Sequence, residues 1–150
     1  MTDARTPPWI AENLGFLVAR VGTASAALFR DRLAALDLRP KHYSVLSVLS
    51  HSTAPLTQQG VAGCLEIEPS SVVAVVDELE ALELVRRVKD LSDRRRNTLV
   101  LTALGRTRIE QGREVAADVE RALFGDLPAP ERRQLQELLL GAAAAGTPVS

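Results

Sequence analysis

Apolar residues recur at helical intervals through most of this chain, and the pattern predicts six helices interrupted by one β-hairpin. The first helix spans residues 10–36, and its main apolar stripe follows the spacing i, i+3, i+4, i+7 at Leu14, Leu17, Val18, Val21 and Leu28. Phe16, Phe29 and Leu33 lie off that stripe. The first helix is therefore predicted to need apolar cover on more than one side.

Three short helices follow, beginning at Pro40, Gln58 and Pro69. Thr57 is the predicted N-cap of the second, because a hydroxyl at that place accepts from a backbone N–H of the first turn. The third runs from Pro69 to about residue 82, and its buried stripe is Val72, Val75, Val76 and Leu79. Two consecutive short helices followed by a hairpin are typical of a winged helix-turn-helix.

Residues 85–102 contain the strongest concentration of charge in the chain. Apolar residues alternate at its two ends, which predicts two short strands joined by a basic loop. The segment has six cations and two acids, a net charge of +4, whereas the whole chain is −1 and the remainder is therefore −5. Such a segment is typical of a nucleic-acid-binding site, because cations that neutralise the phosphates of nucleic acid release condensed counterions. A solvated charged hairpin is the alternative interpretation.

A long helix over residues 103–124 and a last helix bearing Leu135, Leu138 and Leu139 follow the hairpin. The terminal helices have more apolar surface than the small middle of the chain can cover, which predicts a homodimer. The predicted fold class is mainly α with a small β-hairpin wing. A single domain is predicted at residues 10–145, between a flexible N-terminus at 1–9 and a flexible tail at 146–150. Within that domain, dimerisation helices at 10–36 and 103–145 flank a winged helix-turn-helix lobe at 40–102.

Composition narrows the class of protein. Cys64 is the single cysteine, so no internal disulfide forms, and no apolar run is long enough to cross a membrane. The N-terminus does not resemble a secretory signal, and these features predict a cytoplasmic protein without a membrane partner. The chain lacks the usual catalytic motifs, so no enzyme activity, catalytic residue, cofactor or metal site is predicted. Cys64 is interpreted as a small buried core residue rather than an oxidation sensor.

Three motifs, in this order and spacing, resemble the MarR (multiple antibiotic resistance regulator) family of bacterial transcription factors. They are Leu56-Thr57-Gln58, Pro69-Ser70-Ser71-Val72 continuing to Val76-Asp77-Glu78-Leu79-Glu80, and the wing signature Asp93-Arg94-Arg95 followed by Leu99-Val100-Leu101-Thr102. The resemblance covers nearly the whole chain, from about residue 14 to residue 140. It implies a homodimeric repressor on a pseudo-palindromic operator in double-stranded DNA, released by a small-molecule effector.

The resemblance also implies roles for the wing and the recognition helix, residues 69–82. Each recognition helix would lie in a major groove, and each wing would reach the flanking backbone or minor groove. Arg95 matches the family arginine that enters the minor groove, and Asp93 matches the acid that orients it. Arg94 and Arg96 would contact phosphates.

The recognition helix departs from the family pattern because its outward face has no cation. Family members often place Thr and Arg near Val73 and Ala74, and another Arg near Glu78. Direct base readout is therefore expected to be thin, and Asp77 and Glu78 repel phosphate unless each is paired or Glu78 accepts from a cytosine amino group. The predicted DNA contacts are Thr57, Gln58, Ser70, Ser71, Val73, Ala74, Glu78, Arg86, Arg87, Asp93, Arg94, Arg95 and Arg96.

An effector is expected between the dimerisation helices and the DNA-binding lobe, where it would change the separation of the two recognition helices. Arg20 is interpreted either as a snorkelling stem at the dimer interface or as a counter-charge for an acidic effector. The alternative function is a dimeric winged-helix protein with weak or lost sequence readout that serves as a protein-interaction module. The candidate effector-binding residues are Phe16, Arg20, His42, Tyr43 and His51.

Overall fold

The computed structural model of the chain describes residues 7–146. In that range the helices and strands are α1 (Pro8–Ala11), α2 (Leu14–Leu33), α3 (Pro40–His51), α4 (Gln58–Leu65), α5 (Pro69–Ala81), β1 (Val85–Lys89), β2 (Asn97–Leu101), α6 (Ala103–Phe124) and α7 (Ala129–Gly146). A single 3-10 turn, Ala34–Leu36, follows α2. The predicted fold class, mainly α with a two-stranded wing, is confirmed.

The predicted first helix, 10–36, is divided at Asn13. This residue has extended backbone angles (φ −121°, ψ 113°), and its side-chain oxygen accepts from the Phe16 N–H at 3.2 Å. Because asparagine is among the strongest N-caps, a new helix begins there. Trp9, which the prediction assigns to the flexible N-terminus, lies in α1 with its ring edge-on to Phe16. Residues 1–6 lie outside the described residues.

The core lies where the end of α2 meets α3, α4, α5 and α6. Its fully buried side chains include Leu33, Val45, Leu46, Val61, Val72, Val76, Leu79 and Ile109, which confirms the predicted stripe of α5. On α2, Phe29 and Leu33 face this core, whereas Leu14, Val18 and Val21 of the predicted stripe are exposed. The stripe predicted for the first helix is therefore not the face that packs on the lobe of the same chain.

The hairpin is joined to the lobe at two places. β1 and β2 pair antiparallel over all five residues of each, and the Leu99 N–H donates to the Leu56 carbonyl at 2.8 Å. At Gly105 in the first turn of α6, an added Cβ would lie 2.0 Å from the Leu84 carbonyl oxygen. Glycine at this position therefore lets α6 begin close against the chain that enters the hairpin.

The last helix, α7, has no buried residue. Leu138, Leu139 and Leu140 are exposed along it. The helix continues through Gly146, the first residue of the predicted flexible tail, and residues 147–150 lie outside the described part of the chain. Among the described helices, none is long and apolar enough to cross a membrane.

Candidate nucleic-acid interface

The loop between β1 and β2, which we call the wing tip (residues 90–96), is organised by Asp90. Its Oδ1 accepts from the Ser92 N–H at 2.7 Å, the Ser92 hydroxyl at 2.6 Å and the Asp93 N–H at 3.3 Å. These bonds, led by the Ser92 hydroxyl, lower the pKa of the Asp90 carboxyl. The Asp90 N–H donates to the Arg96 carbonyl at 3.0 Å, which closes the loop.

The wing tip directs its arginines into solvent. Asp93 Oδ1 accepts from the Arg95 N–H at 3.0 Å and from Arg95 Nε at 3.3 Å. The Arg95 side chain is nevertheless 91% exposed, and Arg94 and Arg96 are exposed as well. The loop therefore presents three adjacent guanidinium groups on a short, internally bonded turn.

The exposed face of α5 lies beside the wing. Successive residues of a helix are rotated by about 100°, and the buried stripe fixes which positions face outward. The centre of the outward face is formed by Ser70, Ala74, Asp77 and Ala81. Ser71 and Glu78 lie at one edge of that face, and Val73 and Glu80 lie at the opposite edge.

Glu78 is bonded to three residues at the start of α3. Its carboxylate accepts from Arg39 Nη2, from Lys41 Nζ at 3.1 Å and from His42 Nε2 at 2.6 Å. His42 is only 3% exposed, and its Nδ1 faces the Arg39 N–H at 3.1 Å, which assigns the proton to Nε2 of a neutral ring. The hydrogen bonds from His42 and Lys41, followed by Arg39, lower the pKa of Glu78 to about 2.

Arg87 of β1 binds the opposite edge of α5. Its guanidinium donates to Glu80 through Nη1, to Asp77 through Nη2 at 2.6 Å and to Gln58 through Nε at 2.7 Å. The Arg87 N–H also donates to Glu80 Oε1 at 3.0 Å. One side chain thus connects the wing, the recognition helix and the N-terminus of α4.

The two sets of contacts give the outward face of α5 its electrostatic character. Asp77 and Glu78, which the sequence predicted to repel phosphate unless paired, are both paired with cations from other elements. Their negative charge is largely compensated within the chain. A rigid helix flanked by a solvent-directed arginine loop is an arrangement that suits a groove lined by phosphates.

Comparison with known proteins identifies the family. A family model described as the MarR family matches residues 36–96. The structure of CouR from Rhodococcus jostii RHA1 bound to p-coumaroyl-CoA is 30% identical, with a TM-score of 0.77 over 96% of this chain and 100% of that one. The chain belongs to the MarR family.

Two further relatives support this assignment. A transcriptional regulator of the MarR family from Rhodococcus sp. RHA1 is 29% identical, with a TM-score of 0.76, over 89% of this chain and 95% of that one. A putative transcriptional regulatory protein for the hcr operon of Thauera aromatica is 32% identical over 106 residues. That alignment covers 68% of this chain but only 63% of the Thauera protein.

The predicted DNA contacts of this MarR-family chain do not all lie on one surface. Successive residues of a strand face opposite sides, and the structure turns Arg87 inward while Arg86 is exposed. The Gln58 side chain accepts from Arg87, and the Thr57 hydroxyl caps α4 by accepting from the Gly60 N–H at 3.1 Å. The exposed candidates on α5 and the wing are Ser70, Ser71, Val73, Ala74, Arg86, Arg94, Arg95 and Arg96.

Four residues of this interface were not identified from the sequence. Asp90 orders the wing tip, and Glu80 binds Arg87, which attaches the wing to α5. Asp90 could have been identified from the sequence, because an acid shortly before Ser-Asp is typical of the start of a turn. Arg39 and Lys41 reach Glu78 across 39 and 37 residues of sequence, a distance over which no local pattern is informative.

The five candidate effector residues are not brought together as one pocket. Phe16 packs on Trp9 of α1, and His51 Nδ1 lies 2.8 Å from the Ser47 carbonyl at the far end of α3. The Nε2 of His42 is hydrogen-bonded to the Glu78 carboxylate. Tyr43 is half-buried against Phe29 of α2 and beside Gly112 of α6, and Arg20 is exposed on α2. Tyr43 is thus the candidate placed where α2, α3 and α6 meet.

The interpretation of Cys64 as a buried core residue is wrong. The buried residues of α4 are Val61 and Ala62, and Cys64 lies on the other side of the helix, where its side chain is exposed. No group of three or more metal-binding side chains occurs among the described residues.

Proposed function

We propose that this protein is a homodimeric transcriptional regulator that binds a pseudo-palindromic site in double-stranded DNA and acts in the cytoplasm as a repressor. The observation that supports this most directly is the wing tip, where three adjacent exposed arginines project from a loop attached to the recognition helix. Each recognition helix would enter a major groove, and the wings would contact the flanking backbone or minor groove. No catalytic role is proposed.

The apolar surface of the terminal helices supports the homodimer. Leu14, Val18 and Val21 share one face of α2 and are exposed in the single chain, as are the consecutive leucines of α7. Contiguous apolar surface of this kind is characteristic of an interaction site. We expect an obligate dimer that buries more than about 2,000 Å². Sedimentation equilibrium tests this, and a folded monomer at micromolar concentration would contradict it.

An effector of the acyl-thioester class is the first to test. CouR, whose structure was determined with p-coumaroyl-CoA, covers nearly all of this chain at 30% identity. A ligand bound between the dimerisation helices and the lobe would act by changing the separation of the recognition helices, which must be about one turn of DNA apart. Titration of the DNA complex with p-coumaroyl-CoA and with free coenzyme A should distinguish recognition of the acyl group from recognition of the carrier.

The contribution of the wing is tested with Arg95→Ala in fluorescence anisotropy on an operator duplex that has been selected from random DNA with the wild-type protein. If Arg95 enters the minor groove, operator binding should weaken by roughly 1–3 kcal/mol while the dimer stays intact. Asp93→Ala should cause a smaller loss, because Arg95 would lose the carboxylate that orients it. Equal affinity of the wild type and Arg95→Ala would contradict a wing-dependent mechanism and would favour the protein-interaction module.

A further inference from the structure

The edge of α5 that is farther from the wing carries two cations from the N-terminus of α3, namely the N-cap residue Arg39 and Lys41. Arg39 and Lys41 lie against Glu78, and their side chains are 56% and 43% exposed. Arg87 attaches the wing at the opposite edge, through Asp77 and Glu80. The outward face of the recognition helix is therefore bracketed by cations on both sides, although the helix itself has none.

The charge at this edge does not cancel. Arg39 and Lys41 contribute two positive charges, Glu78 contributes one negative charge, and His42 is neutral in the tautomer that its hydrogen bonds assign, which leaves +1. A guanidinium has five N–H donors and an ammonium has three. Glu78 accepts from Nη2 of Arg39 and from Nζ of Lys41, so both of these partly exposed groups keep further N–H donors that Glu78 does not use.

A helix in a major groove meets phosphates on both sides. The groove is about 12 Å wide and a helix with its side chains is about 10–12 Å across, so a backbone strand runs along each edge of an inserted helix. The wing can contact the phosphates along the edge of α5 that lies beside Arg87. The other edge needs its own phosphate contact, and Ser71 is the only hydroxyl that α5 itself offers there.

We propose that Arg39 and Lys41 form a second DNA-backbone contact, which binds phosphate along the edge of the recognition helix opposite the wing. Glu78 is then a positioning residue that holds the two cations at that edge and does not itself read a base. This inference rests on the proposed DNA-binding function. It identifies phosphodiester contacts that come from α3, outside both the recognition helix and the wing.

The test must separate phosphate contact from mere neutralisation of Glu78. Removing both cations in Arg39→Ala/Lys41→Ala leaves Glu78 bonded only to His42, so its negative charge would repel DNA in either case. Adding Glu78→Gln to that double variant removes this repulsion. If the cations contact phosphate, the triple variant stays weak; if they only neutralise Glu78, it recovers wild-type affinity.

Affinity is measured by fluorescence anisotropy on a labelled mixed-sequence duplex of about 30 base pairs, between roughly 50 and 200 mM salt. In a dimer the triple variant loses four contacts, so the log–log salt slope should become shallower by about 3.6, and affinity should fall on the order of tenfold or more. Lys41→Ala alone leaves Arg39 and His42 on Glu78, and its slope should become shallower by about 1.8. This single variant keeps the test decisive if the triple variant does not fold.

Arg30→Ala is the matched control, because Arg30 is 62% exposed and paired with Asp31 on α2, away from the recognition helix. It should keep the wild-type slope. Wild-type slopes for both the triple variant and Lys41→Ala would overturn the inference. Arg95→Ala in the same assay separates the two proposals. If Arg95→Ala weakens DNA binding and Lys41→Ala does not, only the proposed second contact is wrong. If the wild type binds no duplex at all, the proposed DNA-binding function is wrong too.

Discussion

The recognition helix and the wing tip use their charged side chains in opposite ways. On α5 the acids Asp77, Glu78 and Glu80 are each bonded to a cation from another element, so their charge holds the helix within the lobe. On the wing tip the acids bond mainly within the loop, and the adjacent arginines project into solvent. Charge on the helix therefore fixes geometry, and charge on the wing tip is available for a ligand.

The two regions therefore contribute differently to DNA binding: the charges of α5 position the recognition helix, and those of the wing tip provide affinity for phosphate. A helix without cations contributes little phosphate attraction, so the sequence-independent part of binding must come from neighbouring elements. Ser70, Ser71 and Ala74 are left to contact base edges, which predicts modest direct readout and a larger share for DNA shape and half-site spacing. We expect a specific-to-nonspecific affinity ratio near the low end of the usual range, about 10³.

Arg87→Ala should have the largest effect on stability and DNA binding, because it removes the side chain that connects the wing to the recognition helix. Asp77 and Glu80 would lose the guanidinium that they bind, and the wing would lose its side-chain link to α5, although the Arg87 N–H would still donate to Glu80. The free energy of unfolding should therefore fall by about 1–3 kcal/mol, and DNA binding should weaken as well. Urea denaturation and anisotropy measure the two effects. Arg86→Ala, on the neighbouring exposed side chain, is the control and should change stability by less than about 0.5 kcal/mol. Equal stability of both variants would contradict the connecting role of Arg87.

Asp90→Ala should have an intermediate effect that is confined to the wing. The loop would lose three hydrogen bonds to one carboxylate oxygen, so the arginines would be presented in many conformations and DNA affinity should fall several-fold. The salt slope should stay as in the wild type, because no phosphate contact is deleted. Ser92→Ala removes only the hydroxyl bond and should lose less. A shallower slope for Asp90→Ala would show that Asp90 does more than shape the loop.

Glu78→Gln should have the smallest effect of the three variants at neutral pH, and it should change how the free energy of unfolding depends on pH in acid. The pKa of Glu78 is lowered from 4.5 to about 2 in the folded chain, so its ionised form stabilises the fold above about pH 4.5. That contribution should diminish as the pH falls from about 4.5 toward 2. Urea unfolding across this range should show a weaker pH dependence for Glu78→Gln than for the wild type. Identical profiles would exclude Glu78 as the titrating group.

Local sequence signals were sufficient for most of the elements. The bounds of α4, α5 and α6 follow from Thr57, Pro69 and a regular apolar period, and the hairpin follows from alternation around a basic loop. The break at Asn13 was missed, although an N-cap residue is a local signal, because residues 10–36 contain no proline to mark it and the predicted stripe begins only at Leu14. Cys64 was misassigned because an apolar composition on both sides of α4 concealed which side is buried.

The arrangement of charge could not be predicted, because it depends on tertiary contacts. Glu78 meets Arg39 and Lys41 only after α3 packs across α5, and the sequence separation exceeds any helical or hairpin repeat. The same is true of Gln58 and Arg87, 29 residues apart. Sequence reasoning could state that Asp77 and Glu78 needed partners, but only the packing of the lobe supplies them.

The salt dependence of DNA binding by the triple variant Arg94→Ala/Arg95→Ala/Arg96→Ala shows whether the wing-tip arginines supply the phosphate contacts. Six guanidinium groups per dimer would be lost from the wing tips. If the four groups of Arg94 and Arg96 contact phosphate and Arg95 enters the minor groove, the log–log slope should become shallower by about 3.6. Ser70→Ala/Ser71→Ala on the recognition helix should lower operator preference and leave the slope unchanged. A wing variant with the wild-type slope would contradict the account, because the arginines that face solvent would then not be the groups that bind DNA.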